Sequence, residues 1–185
     1  MVASPRLKWF GLALLGAVQF KVVLDIAIVN VALPSIQADL EFTQANLQWV
    51  ISAYALVFGG FLLLGGRTAD LLGRRRVVMV GLVMFAIGSL LCGLAWSEAS
   101  LIGARALQGL GAATISPAAL AILMTTFAEG RERNIALGVW GAVGGFGAAA
   151  GVLMGGVLTS ALSWAWIFFV MFRSARRRSC SLRCC

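Results

Sequence analysis

Five long apolar stretches, separated by short polar segments, dominate the pattern of this chain. About 20 apolar residues cross a bilayer as a helix, and on that measure the complete membrane-spanning helices are predicted at about 9–33, 47–66, 77–96, 100–127 and 135–162. A sixth apolar stretch, 164–172, is too short, because nine helical residues rise only about 14 Å. The expected fold is all-α: a polytopic membrane helical bundle with five complete transmembrane helices and a truncated sixth.

Two prolines are predicted to act differently on these helices. Pro34 follows the first apolar stretch and is expected to end that helix, because proline lacks an amide hydrogen and restricts the residue before it. Pro117 lies inside the fourth stretch, where a membrane helix tolerates a kink. The first helix is therefore expected to stop at residue 33, and the fourth to continue past its proline.

Composition agrees with a membrane protein and excludes several other classes. Hydrophobic residues make up 61% of the chain and charged residues 12%, which is unlike a water-soluble domain and makes the lipid bilayer the expected partner. The net charge of +8 does not indicate nucleic acid, because the basic residues lie between apolar runs or in the final tail. The chain has no histidine, and its four cysteines fit no usual zinc spacing. We therefore expect no metal, no cofactor and no enzymatic activity.

Basic residues also predict the orientation in the membrane. Eight of them fall on one side of the predicted bundle: Arg6, Lys8, Arg67, Arg74, Arg75, Arg76, Arg131 and Arg133. The connections on the opposite side carry only Asp39, Glu41 and Glu98. Because Lys and Arg are enriched in cytoplasmic loops, the N-terminus is expected in the cytoplasm of a multi-pass protein of the cell (inner, cytoplasmic) membrane.

The last part of the chain departs from this pattern. Residues 173–185 contain five arginines among serines and cysteines, and a simple count of helices places them at the outer face, against the positive-inside rule. Either the stretch 164–172 stays at the outer interface, or the fifth helix does not insert and the tail remains inside. We expect 1–172 to form a partial bundle and 173–185 to be a foreign tail, as a frameshift would produce.

Three ionisable side chains fall inside predicted spans, where such groups are costly and are candidates for function. Lys21 and Asp25 lie four residues apart on one face of the first helix and can pair. Arg105, in the fourth helix, lies at a similar depth, so Asp25 and Arg105 can meet if the helices are neighbours. A carboxylate beside a cation can exchange a proton. A static buried ion pair, or side chains that reach the outer interface, are the alternatives.

The segment 65–76 joins the second and third predicted helices and combines glycines with charges. Its glycines are expected to allow a tight turn. Asp70 can cap a helix N-terminus or bind the guanidinium of Arg74, four residues later. Alternatively, the arginines of this segment only fix the topology, which explains Arg75 and Arg76 better than it explains Asp70.

Eight glycines mark the fifth predicted helix, at positions 138, 141, 144, 145, 147, 151, 155 and 156. Faces of small residues let membrane helices approach closely, and plain packing is their usual meaning. Eight in one span exceed what one neighbour needs. We therefore expect a helix that bends or slides against its neighbours.

Together these stretches resemble the major facilitator superfamily, in particular its fourteen-helix drug:proton antiporter branch. Residues 24–34 are close to the first-helix motif of that branch, and residues 66–75 resemble the signature G-x-L-A-D-x-x-G-R-R, with Thr68 in place of leucine. Residues 105–113 resemble R-x-x-Q-G-x-G-x-A. The glycines of the antiporter motif match at Gly138, Gly147, Gly151, Gly155 and Gly156. The chain departs from the pattern at Lys21 and Val152, and the likeness stops after Val170.

The resemblance implies a proton-coupled exporter of small molecules, lipophilic or cationic, with the proton gradient as its energy source. It implies proton coupling by Asp25, Arg105 and Gln108. It also implies a cytoplasmic gating loop, formed by Gly66, Asp70, Gly73, Arg74 and Arg75, and an antiporter helix with the five glycines named above. Family members rock two six-helix bundles against each other, so transport is expected to require the missing second bundle. The alternative is a non-transporting membrane fragment, or a bundle that docks on a partner.

Overall fold

The computed structural model describes residues 5–161 together with 164, 165, 167 and 168. In chain order, its helices are α1 (Pro5–Leu40), α2 (Gln44–Leu47), α3 (Trp49–Leu72), α4 (Arg74–Gly93), α5 (Glu98–Thr126) and α6 (Arg131–Ala161). Together they form five segments long and apolar enough to cross a membrane, of which Gln44–Leu72 combines α2 and α3. The predicted all-helical bundle with five spans is thus confirmed. Most of the predicted sixth stretch, 164–172, and all of the tail, 173–185, lie outside the described residues.

The prediction that Pro34 ends the first helix is wrong, because α1 continues to Leu40. Pro34 is exposed, whereas Ala32 and Ile36 on either side of it are completely buried in the core. A proline inside a helix removes one hydrogen bond, and the burial of Ile36 on the next turn offsets that loss. The first helix is consequently longer than the bilayer is thick.

The tight turn predicted for the segment 65–76 is formed at Gly73, and not at Gly65 or Gly66. Gly65 and Gly66 are inside α3, and the chain turns at Gly73, whose φ of +93° is a conformation that favours glycine. Gly65 serves a close approach instead: a Cβ added to it would collide with the backbone carbonyl of Ala113. Asp70 does not cap α4, because Gly73 holds the N-cap position.

The other boundaries differ from the predicted ones by a few residues. The helices α4 and α6 begin at Arg74 and Arg131, before the predicted starts at 77 and 135, while α5 begins at Glu98 rather than at 100. Ser97 explains the early start of α5, since its hydroxyl accepts from the amide of Ser100 in a capping box. These three helices thus begin at charged residues that precede their apolar stretches. Pro117 lies inside α5, as predicted.

Close helix contacts divide the bundle into two groups: α3, α4 and α5 form one, α1 and α6 form the other, and α1 connects the two. The helix α5 packs between α3 and α4, where a Cβ on Gly109 would lie 2.6 Å from the carbonyl oxygen of Tyr54, and one on Gly111 would lie 2.6 Å from the amide nitrogen of Phe85. The helix α6 packs along α1. Val18 and Val22 of α1 in turn join the core formed by α3, α4 and α5.

Polar contacts fasten the ends of the helices at both faces of the bundle. At one face, which we call the Glu98 face, the carboxylate of Glu98 accepts from the backbone amide of Thr43 at 3.2 Å and from Nδ2 of Asn46 at 2.8 Å. At the opposite face, which we call the Gly73 face, Nζ of Lys8 lies 3.6 Å from Glu132. These contacts join the start of α5 to α2 and its N-cap, and the start of α1 to the start of α6.

Candidate functional site

Asp25, Arg105 and Gln108 meet in the interior of the bundle and form what we call the polar triad. Nη1 of Arg105 donates to Oδ2 of Asp25 and to Oε1 of Gln108, each at 2.7 Å. Nε2 of Gln108 donates to Oδ1 of Asp25, also at 2.7 Å. The three side chains thus close a ring of hydrogen bonds between α1 and α5, and at most 1% of each is exposed. The predicted contact between Asp25 and Arg105 is therefore present.

The helix α3 supplies two further contacts to Arg105. Nε donates to the carbonyl oxygen of Val50 at 3.2 Å, and the guanidinium carbon lies 4.4 Å from the centroid of the Tyr54 ring. A desolvated cation over an aromatic face is attracted by the quadrupole of the ring. Val50 and Tyr54 lie one helical turn apart, so both contact the guanidinium of Arg105 from the same face of α3.

Val50 and Tyr54 are not among the residues predicted from the sequence. The carbonyl of Val50 carries no signal in the sequence, because every residue has one. Tyr54 does carry a signal: it is the only tyrosine of the chain and it falls inside a predicted span, where a hydroxyl needs a partner. Which cation its ring contacts depends on how α3 packs against α5.

The helix α4 closes the site from another side. Sγ of Cys92 lies 3.7 Å from Oε1 of Gln108, within hydrogen-bond range for sulfur. One turn before Cys92, a Cβ on Gly88 would lie 2.9 Å from the backbone nitrogen of Gln108, so a glycine is what lets α4 come this close. Four helices therefore enclose the polar triad.

A second buried cation, Lys21, lies one turn from Asp25 on α1. Its side chain is almost fully buried, and Nζ lies 5.6 Å from the centroid of the Phe85 ring on α4. Each oxygen of Asp25 accepts from a side chain of α5. Lys21 thus lies beside the ring of Phe85, and Arg105 contacts the carboxylate of Asp25.

The polar triad can link proton binding to a contact between helices. Burial of an ion pair carries a desolvation penalty of several kcal/mol per ion, which close charge-assisted hydrogen bonds offset. A proton on Asp25 would remove the negative charge that Arg105 neutralises. It would also remove one of the two acceptor sites that Asp25 supplies to the ring of hydrogen bonds.

The charged residues at the Gly73 face form a second cluster. Nη2 of Arg74 donates to Oδ1 of Asp70 at 3.2 Å, and Nη1 donates to the carbonyl oxygen of Ala121 at 3.0 Å and to Oγ1 of Thr125 at 2.9 Å. Of the two alternatives for Asp70, the structure contains the guanidinium contact. Arg74 consequently connects the α3–α4 turn to the last turns of α5.

The remaining residues predicted for the loop are positioned differently. Gly66 lies within α3, where a Cβ would be 3.7 Å from Cβ of Pro117. Gly73 forms the turn itself, and Arg75 is exposed at the start of α4. The structure thus brings Asp70 and Arg74 together and leaves Gly66 one turn away.

The glycines of the predicted antiporter motif divide into two sets. Gly147, Gly151 and Gly155 face α1; a Cβ on Gly151 would lie 2.6 Å from Cβ of Ala27. Around Gly138 and Gly156, the described part of the chain has no heavy atom within 4 Å of such a Cβ. The first set lets α6 approach α1, while the second lies on another side of α6.

An apolar groove of about 680 Å³ runs between α1 and α6. It is lined by aliphatic and aromatic side chains, among them Trp9, Leu12, Phe20, Val139, Val143 and Phe146. The groove begins near the Gly73 face and reaches to within two turns of Asp25 along α1.

Comparisons with known proteins agree with this architecture. The sequence profile of the Major Facilitator Superfamily matches residues 15–172. The chain is 53% identical over 167 residues to the puromycin resistance protein Pur8 of Streptomyces alboniger, and 51% identical over 160 residues to the cephamycin export protein CmcT of Amycolatopsis lactamdurans. These matches cover 90% and 86% of this chain, but 33% of each relative. The chain thus spans about a third of the length of these relatives.

A solved structure shows the same fold. It is that of a bacterial homolog of the human lysosomal transporter Spinster, in an inward-facing and unoccupied conformation. The likeness has a TM-score of 0.81 at 19% sequence identity, and it covers 97% of this chain and 43% of the other. Taken with the match of the family profile over 15–172, these findings show that the chain belongs to the major facilitator superfamily.

Proposed function

We propose that this chain forms the first part of a proton-driven exporter of small organic molecules. In this proposal Asp25 binds the proton, and Arg105 and Gln108 hold its carboxylate in the unprotonated state. The observation that carries the proposal is the closed ring of 2.7 Å hydrogen bonds among these three side chains, which are buried within the spans. Ionisable groups are rare in such positions unless they serve ion or proton movement.

Proton binding would change the contact between α1 and α5. With Asp25 neutral, Arg105 keeps its contacts to Val50, Tyr54 and Gln108 but loses its ionic partner. The helix α1 is then held less firmly against α5, while its packing on α6 through Gly151 is unaffected. A rocking transporter needs such a difference between its two states, because a proton can shift an equilibrium only by its differential affinity for them.

The proposal includes an orientation and an energy source. The basic residues at the Gly73 face support a cytoplasmic position for that face and for the N-terminus, in a protein of the cell membrane. Arg74 and Asp70 then belong to a cytoplasmic gating loop, since they connect the α3–α4 turn to the end of α5. The proton gradient drives transport, so we expect neither a cofactor nor catalysis.

The substrate is proposed to be a small lipophilic or cationic molecule. The names of the two relatives, a puromycin resistance protein and a cephamycin export protein, support export of organic compounds. The chain spans about a third of the length of these relatives, and we propose that the substrate cavity forms between this bundle and a second one. The five glycines of the antiporter motif on α6 support exchange rather than uptake.

A second candidate function is a membrane bundle that does not transport by itself and docks on a partner. The observation that favours it is the open glycine surface of α6: Gly138, Gly141, Gly144, Gly145 and Gly156 have no described heavy atom within 4 Å of an added Cβ. Such surfaces allow another helix to approach closely. This function is compatible with a second bundle that arrives on a separate chain.

A chimeric transporter tests the first proposal. Residues 15–160 of this chain would replace the matching part of Pur8, and puromycin resistance would be measured in a sensitive host. We expect resistance from the chimera, none from its Asp25→Asn variant, and resistance from an Asp39→Asn control, because Asp39 lies at the Glu98 face outside the polar triad. Resistance that survived Asp25→Asn at equal membrane levels would contradict the proposal.

The chain alone distinguishes the two candidates. If cells that express it expel a cationic dye in a manner that depends on the proton gradient and on Asp25, the five helices suffice for transport. If the inserted chain does not expel the dye while the chimera confers resistance, the chain needs a partner bundle.

A further inference from the structure

Tyr54 packs against the polar triad but has no role in the proton exchange proposed above. Its side chain is 3% exposed, and its hydroxyl has no hydrogen-bond partner among the described residues. Buried hydroxyl groups are nearly always hydrogen-bonded, either to protein or to ordered water. An isolated hydroxyl on a residue whose ring contacts the buried Arg105 therefore indicates a bound water molecule.

The packing of α3 on α5 fixes where this hydroxyl lies. Gly109 has no side chain, so the backbone of α5 lies directly on the backbone of Tyr54, and the ring is placed under the guanidinium of Arg105 at 4.4 Å. Phe58 stacks on the same ring at a centroid distance of 6.1 Å. Because the ring contacts both Phe58 and Arg105, the hydroxyl has little freedom to find another partner.

The charges around the hydroxyl are those of the proton site itself. Asp25 and Arg105 are the charged groups that act on it most strongly. The other titratable groups near the site are Lys21, from α1, and Cys92, from α4. A water molecule on Tyr54 would thus lie in the field of the carboxylate that takes up the proton.

Two more buried oxygen atoms lack partners in the described part of the chain, and both lie on the Gly73 side of the polar triad. They are Oε1 of Gln19, on α1, and Oγ of Ser116, on α5. The rise of a helix puts Gln19 about 9 Å from Asp25 and Ser116 about 12 Å from Gln108 along the bundle axis. Two side chains whose oxygen atoms require water therefore lie at depths similar to each other, between the polar triad and the Gly73 face.

We infer that Tyr54 is a positioning residue of the proton site: its ring holds Arg105, and its hydroxyl binds the water molecule that carries the proton to and from Asp25. This inference rests on the proposed function. In the step itself, the bond between a proton and the oxygen of a hydronium ion breaks, and a bond between that proton and a carboxylate oxygen of Asp25 forms. A neutral water remains. Tyr54 keeps its own proton and only orients the water.

The first test uses the fact that the chain has a single tyrosine. Tyrosine labelled with ¹³C is incorporated into the full chain in lipid bilayers, and solid-state NMR follows the transfer of magnetisation from water. We expect the ring carbon that bears the hydroxyl to receive magnetisation several times faster than Cα of the same residue, which is packed against Gly109. Equal rates would mean a dry hydroxyl and would overturn the inference.

The second test separates the hydroxyl from the ring. After a sudden drop in pH, time-resolved infrared spectroscopy follows the carboxyl band of Asp25, assigned by its loss in Asp25→Asn. Tyr54→Phe keeps the ring under Arg105 and removes the hydroxyl, so we expect the band to appear about fivefold more slowly. An unchanged rate in this variant would overturn the inference.

These outcomes are distinct from a failure of the proposed function. If Asp25 never takes up a proton in the parent chain, the proposed proton site is wrong whatever Tyr54 does. If Asp25 takes up a proton at the same rate in Tyr54→Phe, the proton site stands and the inference about Tyr54 falls. Thermal unfolding of Tyr54→Phe and Tyr54→Leu shows whether the ring stabilises Arg105, since we expect only Tyr54→Leu to lower the melting temperature.

Discussion

Replacement of Arg105 by glutamine tests whether the ion pair holds α1 to α5. The variant Arg105→Gln removes the 2.7 Å contact to Asp25, the bond to Oε1 of Gln108 and the bond to the carbonyl oxygen of Val50. Asp25 then keeps one described donor, Nε2 of Gln108. Removal of one partner of a buried pair leaves an uncompensated charge, which costs about 3–5 kcal/mol.

A double-mutant cycle isolates this cost from the loss of the side chain. In the double variant Asp25→Asn, Arg105→Gln both charges of the pair are removed, and the remaining loss is that of individual hydrogen bonds, about 0.5–1.5 kcal/mol each. We therefore expect the double variant to be more stable than Arg105→Gln alone. The free energy of unfolding would be measured by titration with a denaturing detergent in mixed micelles. Additive losses, with no coupling beyond about 0.5 kcal/mol, would refute the reasoning.

Two further predictions concern the packing of α6 and the turn at the Gly73 face. Gly151→Leu is expected to destabilise the bundle by about 1–3 kcal/mol through overpacking against Ala27, whereas Gly144→Leu, in open space, is expected to have little effect on thermal unfolding. Arg74→Gln removes three hydrogen bonds and should make the α3–α4 turn more susceptible to limited proteolysis in lipid vesicles. Arg76→Gln, an exposed neighbour, is the matched control, and equal cleavage of the two variants would contradict the prediction.

The number and type of helices could be predicted from the apolar pattern, but their ends could not. The length of an apolar run reports the hydrocarbon layer, whereas helices continue into the interface as long as capping and packing allow. Pro34 illustrates the difference, because the proline faces outward and the buried Ile36 carries α1 onward. Gly65 gives a second example. It belongs to the glycines that were expected to allow a turn, but it lies inside α3 and lets α3 approach α5 closely.

The site was predictable to the extent that it depends on depth and residue type. Asp25 and Arg105 are ionisable groups in spans, and their positions along α1 and α5 placed them at similar depths. Gln108 came from the resemblance to the family. Tyr54 and the carbonyl of Val50 could not be assigned to the site, because the register of α3 against α5 depends on the close contact at Gly109, which is a property of the packed bundle.

Infrared difference spectroscopy of Asp25 tests the central claim, that the buried carboxylate held by Arg105 and Gln108 binds and releases a proton. The full chain, with ¹³C-labelled aspartate, would be placed in lipid bilayers and its spectra compared between alkaline and acidic buffer. We predict a carboxyl band that shifts with the label, disappears in Asp25→Asn and persists in Asp39→Asn, while the helical amide bands stay unchanged. If the folded bundle shows no band that depends on Asp25, the polar triad is a static ion pair and the proposed proton exchange is wrong.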